Sequence, residues 1–171
     1  MGFSKYINLK YLILFTLTFL LDFGVAQTTK STPEIPGVFL IGEFEEQYLS
    51  LSKEHPAIFM SVYGNDIDRA FRGWSDMLMD IEDYATETNF DIKGVKLWFS
   101  LYFNADGTIK HLAFYPKPNS RNVPVEELAD FFKDFISQYR LPIKAEKAFH
   151  HSASAGFPTF FDRTAPVAKS N

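Results

Sequence analysis

The sequence predicts an α+β domain, an antiparallel sheet with a central β-hairpin and amphipathic helices packed on it, preceded by an extra N-terminal helix. Three observations carry this prediction. Val95, Leu97, Phe99, Leu101 and Phe103 alternate with other residues up to an Asp106-Gly107 turn, which marks a hairpin. Residues 66–86 and 123–139 repeat apolar side chains every three and four positions, which marks two helices. Cysteine is absent, so the fold rests on a core drawn from 19 Phe, 8 Tyr and 2 Trp and not on disulfides.

The first 26 residues read as a secretory signal. Lys5 and Lys10 make a positive start, YLILFTLTFLL is apolar but short for a membrane span, and Gly24-Val25-Ala26 offers small residues for cleavage. An uncleaved anchor is the alternative, and Asp22 argues against it. Removal of Lys5, Lys10 and Asp22 leaves 15 basic and 20 acidic side chains, a formal charge of −5. That charge disfavours nucleic acid or an anionic membrane surface as the main partner. Cleavage leaves no transmembrane anchor, and the expected location is periplasmic or extracellular. The lack of cysteine excludes a lipidated N-terminus, a thiol nucleophile and Cys-based metal sites.

After the signal, residues 27–41 (QTTKSTPEIPGV and its continuation) read as a loose, proline-punctuated leader. A single domain is expected over 42–161 and a disordered tail over 162–171. Phe44, Tyr48 and Leu51 share one face of a short helix that Pro56 stops. Residues 57–62, AIFMSV, fit a strand or a helical turn, and periodicity does not separate the two. The helix over 66–86 has Asn65 or Asp66 available as its cap and an apolar stripe of Ile67, Ala70, Phe71, Trp74, Leu78, Ile81 and Ala85. The acids off that stripe form a solvated face.

In the hairpin, pairing Asn104 with Thr108 puts Phe103 opposite Ile109 and Phe99 opposite Ala113. This register leaves Trp98, Tyr102, Leu112 and Phe114 together on the second face, with Lys96 and Lys110 at intervals. Such a face needs either a cover, for which the segment 43–54 is the candidate, or a partner. Pro116 and Pro118 end the second strand. Lys117, Asn119, Ser120, Arg121 and Asn122 lie just ahead of the next helix, where an anion site and a self-satisfied polar turn are both open readings.

The stretch AFHHSASAGFP looks like chemistry but alternates as a strand. Phe149, His151, Ala153, Ala155 and Phe157 take one face, and His150, Ser152, Ser154 and Gly156 the other. Adjacent histidines on a strand point apart, so they do not ligate one ion together, and no HExxH or GxSxG spacing accompanies them. No metal site, catalytic residue or cofactor is expected. If the strands are neighbours, His111 approaches His151.

The order helix, strand, Asp-Gly turn, strand, helix, strand over residues 67–158 resembles the C-terminal domain of TonB-like periplasmic proteins. It is carried by DIKGVKLWFSLYFNADGTIKHLAFY, VPVEELADFFKDFISQYRLP and FHHSASAGFP. TonB's long proline-rich spacer has no counterpart here, and IKAEK replaces the Asn-Gly-Lys-type turn after the helix. The resemblance implies an α-β-β-α-β fold in a periplasmic setting. The expectation is an exported, non-catalytic interaction module of the bacterial cell envelope. It would bind a protein partner, or a second copy of itself, by a sheet edge or by the face of Trp98, Tyr102, Leu112 and Phe114. The alternatives are a small-ligand carrier and a hydrolase using His111, His150 or His151 with a carboxylate.

Overall fold

The computed structural model describes residues 34–161; the expected signal over 1–26, residues 27–33 of the expected leader and the expected tail 162–171 lie outside them. Along the chain come β1 (Val38–Leu40), α1 (Glu45–Glu54), β2 (Ala57–Ile58), α2 (Phe59–Val62), α3 (Ile67–Glu87), β3 (Lys96–Phe103), β4 (Ile109–Pro116), α4 (Val125–Gln138) and β5 (Phe149–Gly156). The strands form one five-stranded sheet in the order β1-β4-β3-β5-β2. The described residues from Ile35 onward belong to one compact unit.

The α+β class holds, but the sheet is mixed. β4, β3 and β5 pair antiparallel at its centre, while β1 lies parallel to β4 and β2 parallel to β5. Each outer strand is separated from its neighbour along the chain by several helices and strands, and so long a separation permits parallel pairing. The leader also ends earlier than its composition indicates. Residues 38–40 are strand β1, held by Leu112 N–H to the Gly37 carbonyl (2.8 Å) and Ile41 N–H to the Phe114 carbonyl (2.9 Å). The ambiguous AIFMSV is both things in turn, two residues of β2 and then α2.

The helices follow their apolar stripes. Asp66 caps α3, its carboxylate accepting from the N–H groups of Asp68 and Arg69 at 3.0 Å each. Trp74, Leu78 and Ile81 of α3 and Leu128, Phe132 and Phe135 of α4 pack on one face of the sheet, against Leu97, Phe99, Leu101 and Phe103. Phe132 meets Phe99 edge-on at 5.3 Å. Each such side chain contributes about 1.5–3 kcal/mol by burial, so this face holds most of the stabilisation. A smaller cluster of Phe39, Leu51, Tyr102 and Ala113 lies on the opposite face, under α1.

The hairpin turn forms as expected and the register does not. Asn104 N–H bonds the Thr108 carbonyl at 2.9 Å, Phe103 pairs Ile109, and Gly107 takes φ +88°. Gly107 also accepts from Leu141 N–H at 2.9 Å, in a space a side chain would fill. One step later the pairing shifts: Tyr102 lies opposite His111, leaving Lys110 as the extra residue of a β-bulge. Phe99 therefore faces Phe114, not Ala113, and Leu101 faces Leu112. Because side chains alternate, a shift of one residue exchanges the faces of everything beyond it.

Candidate functional site: an open lane beside strand five

The four histidines act as structural pieces. Nδ1–H of His111 donates to the Pro36 carbonyl at 3.0 Å, that of His150 to the His55 carbonyl at 2.7 Å, and that of His55 to the Leu51 carbonyl at 2.9 Å. These bonds tie the N-terminal segment and α1 to the sheet. His151 lies on the helix side, its ring 4.4 Å from Phe59 and 4.7 Å from Trp74, and its buried Nε2 has no hydrogen-bond partner among the described residues. Burial, with a lesser contribution from His150, pushes its pKa down to about 4. Burial likewise lowers that of His55. His111 does not approach His151, because β3 separates their strands and the two rings occupy opposite faces. Among the described residues none of the four rings bonds a carboxylate, and no group of three potential ligands could hold a metal ion.

The hairpin's aromatic patch divides three ways. Leu112 and Phe114 are wholly buried in the main core, because the bulge at Lys110 turns them to the helix side; they do not belong to a partner-binding face. Tyr102 is buried under α1, edge-on to Tyr48 at 6.2 Å and His55 at 5.2 Å, so residues 44–55 cover that end. Tyr48 extends the cover, donating its hydroxyl to Ser100 Oγ at 3.0 Å, which in turn contacts Ser152 Oγ at 3.1 Å. Trp98 alone stays open, 44% exposed beside Tyr115, with Lys117 Nζ 5.4 Å from its ring centroid.

The loop after β4 is a polar turn that pins the hairpin. Ser120 Oγ accepts from Lys96 N–H at 2.9 Å, and Arg121 N–H bonds the Gly94 carbonyl at 2.8 Å. The Arg121 guanidinium pairs with the Asp91 carboxylate at 3.1 Å and donates to the Asp91 carbonyl. Lys117 is turned over Trp98, and Asn119 and Asn122 make no side-chain bond among the described residues. These groups do not converge on one point, and the arginine's charge is already matched.

What sequence reasoning missed is the outer side of β5. β2 pairs only with Phe149 and His150, and the chain then turns away into α2. Both Phe157 N–H and Phe157 C=O bond toward the β3 side, to Val95 O at 2.9 Å and from Gly94 N at 2.8 Å. Backbone polarity alternates along a strand, and the β3–β5 register has no break, so Ser152, Ser154 and Gly156 aim their N–H and C=O groups outward. No strand lies beyond them among the described residues. On the helix side this lane opens into an apolar groove of about 400 Å³ between Ile58, Phe59, Ile67, Phe71, Trp74, His151 and Ala153. Ile58 is 50%, Ile67 68% and Phe71 59% exposed, although Ile67 and Phe71 continue α3's apolar stripe. Alternation in FHHSASAG gave β5 its faces, but its neighbours come from distant segments that no local pattern discloses.

A second cleft, about 480 Å³, mixes Arg69 and Arg72 with Asp76 and Asp80 and so favours neither charge. No described helix is long and apolar enough to cross a membrane. Fold and site together define a small α+β domain in which no described strand pairs with the outer side of β5 at Ser152–Gly156. No family model, no curated protein and no solved structure matches the chain.

Proposed function

We propose that this chain is an exported, non-catalytic interaction module of the cell envelope that binds a protein partner by accepting its strand along β5. The observation that carries the reading is the row of outward backbone groups at Ser152, Ser154 and Gly156, open beside an apolar groove. Main-chain hydrogen bonds supply affinity in this mode, and pockets for alternate side chains supply selectivity. Sheet edges are ordinarily shortened, bulged or charged to prevent such pairing. β5 has none of these features beyond His150: the strand is eight residues long and continuous in register, and after His151 it is built from Ser, Ala and Gly. The order α3-β3-β4-α4-β5 resembles that of TonB C-terminal domains and supports the same reading, as does the signal-like N-terminal sequence for export.

The test is Ser154→Pro, which deletes one outward N–H and leaves the bonds to β3 in place. The variant, its fold verified by circular dichroism, should capture at least about tenfold less of the partner from envelope extract than the wild type does. Equal capture would refute edge binding. The groove's apolar lining and volume favour a second reading, a carrier of a small apolar ligand. Protein isolated from its host would then release a stoichiometric ligand on solvent extraction, visible by mass spectrometry.

A further inference from the structure

We infer that the strand β5 accepts is an antiparallel peptide segment carrying an acidic residue three positions ahead of a large apolar one. This rests on the edge reading above and adds the chemistry of the two sides of the lane.

The helix side selects the apolar residue. A partner residue opposite Ala153 shares its face, and that face opens on the groove between Ile58, Phe71 and Trp74. The small side chain of Ala153, which lines the groove, leaves room for it.

The outer side selects the acid. A partner residue opposite Gly156 points there, where Gly156 contributes no side chain and its β3 neighbour Lys96 leans across it. A Cβ at position 156 would lie 3.5 Å from Lys96 Cγ. Lys117 stands over Trp98 on the same side of the sheet. The ion pairs among the described residues are Lys110–Glu54, Arg121–Asp91 and Arg140–Asp106, so Lys96 and Lys117 both lack a carboxylate there. Two unmatched positive charges beside one backbone lane favour an acidic side chain opposite Gly156. In an antiparallel partner the residue opposite Gly156 precedes the one opposite Ala153 by three positions, which fixes the spacing and the order. Antiparallel pairing is the stronger of the two geometries. A second copy pairing about Ser154 would bring Ser152 opposite Gly156 and supply no acid, so a peptide of different sequence fits this edge better.

The test uses two end-capped seven-residue peptides of Ser, Thr and Val, one with Glu at its second and Phe at its fifth position, the other with Lys replacing the Glu. Each is titrated into the protein as purified from its host, following the amide resonances of Ser152, Ser154 and Gly156. The Glu peptide should bind roughly threefold to tenfold more tightly, the span expected of one or two cross-strand charge contacts. Lys96→Glu should reverse the preference, and Lys96→Gln should narrow it. Equal affinity of the two peptides, both shifting the edge amides, would overturn the acidic assignment and leave edge binding standing. If neither peptide moves those amides at millimolar concentration, both readings fail. A free protein that sediments as a dimer, and as a monomer after Ser154→Pro, would assign the edge to a second copy and overturn the peptide assignment.

Discussion

The two ends of the sheet's outer face are finished differently. At the Tyr102 end the chain brings back residues 35–55, closes a cluster of Phe39, Leu51, Tyr102 and Ala113, and fixes it with imidazole-to-carbonyl bonds from His111, His150 and His55. Among the described residues nothing comparable covers the Trp98 end, and on the helix side only the end of the described chain returns, Phe161 meeting Phe71 edge-on at 5.7 Å. There Trp98 and Tyr115 are half-exposed, Ser154 and Gly156 present bare backbone, and the groove behind them exposes Ile67 and Phe71. Among the described residues the opening coincides with the stretch of β5 that β2 does not pair with.

The largest effect tests the register on which this comparison rests. Phe114 is wholly buried and packs against Phe132 at 5.5 Å on the helix side. Phe114→Ala should cost about 3–5 kcal/mol in chemical denaturation, the range for emptying a core aromatic site. Without the bulge at Lys110, Phe114 would lie on the outer face, at the Trp98 end. A loss below about 1 kcal/mol would show that the register shift is absent.

That residue also shows where sequence reasoning reached its limit. The helices were legible because their stripes are long, and the Asp-Gly turn because few residues tolerate its backbone. The bulge was not legible, because IKHLAFY is apolar on both faces. Ile109, Leu112, Ala113 and Phe114 satisfy either register, so alternation could not choose between them. β1 was hidden for another reason: a strand of three residues is defined by what it pairs with, and a proline-punctuated leader gives no local sign of it. The groove was out of reach altogether, since it joins the end of β2, the start of α3 and the middle of β5. The exposed Ile67 and Phe71 nevertheless stand in the sequence as part of an apolar stripe longer than its helix buries.

A smaller effect separates the histidines of the two ends. His111 and His150 give a proton to a carbonyl, whereas His151 faces Phe59 and Trp74 with Nε2 unpartnered among the described residues. Its pKa is about 4 in the folded protein against 6.5 for the free side chain, so between these values the unfolded chain holds more protons. Stability is therefore complete above pH 6.5, falls as pH drops toward 4, and loses nothing further from this group below that. The loss amounts to roughly 3 kcal/mol at most. Beside burial, the neighbouring His150 ring contributes in the same direction. His55, lowered by burial, adds a slope of the same sign, so the difference between wild type and His151→Phe isolates the one ring. That difference should grow across the window as pH falls; parallel curves would mean that His151 is already solvated at the groove.

The smallest expected change in stability is at Trp98, and it is the most informative about the open end. Trp98 is 44% exposed, its ring lies beside Tyr115 and under Lys117, and it contributes to neither core cluster. Trp98→Ala should shift stability by no more than about 0.5 kcal/mol, as for other surface positions. In a Trp74→Phe background its emission should be red-shifted and readily quenched by acrylamide. Adding a strand to β5 should then reduce the quenching, because the serine at 154 is the only residue between Trp98 and the lane. A blue, protected Trp98 in the free protein, unchanged on dilution, would mean that the chain closes this end as well. The contrast between the two ends would then vanish, and with it the reason to look for a partner there.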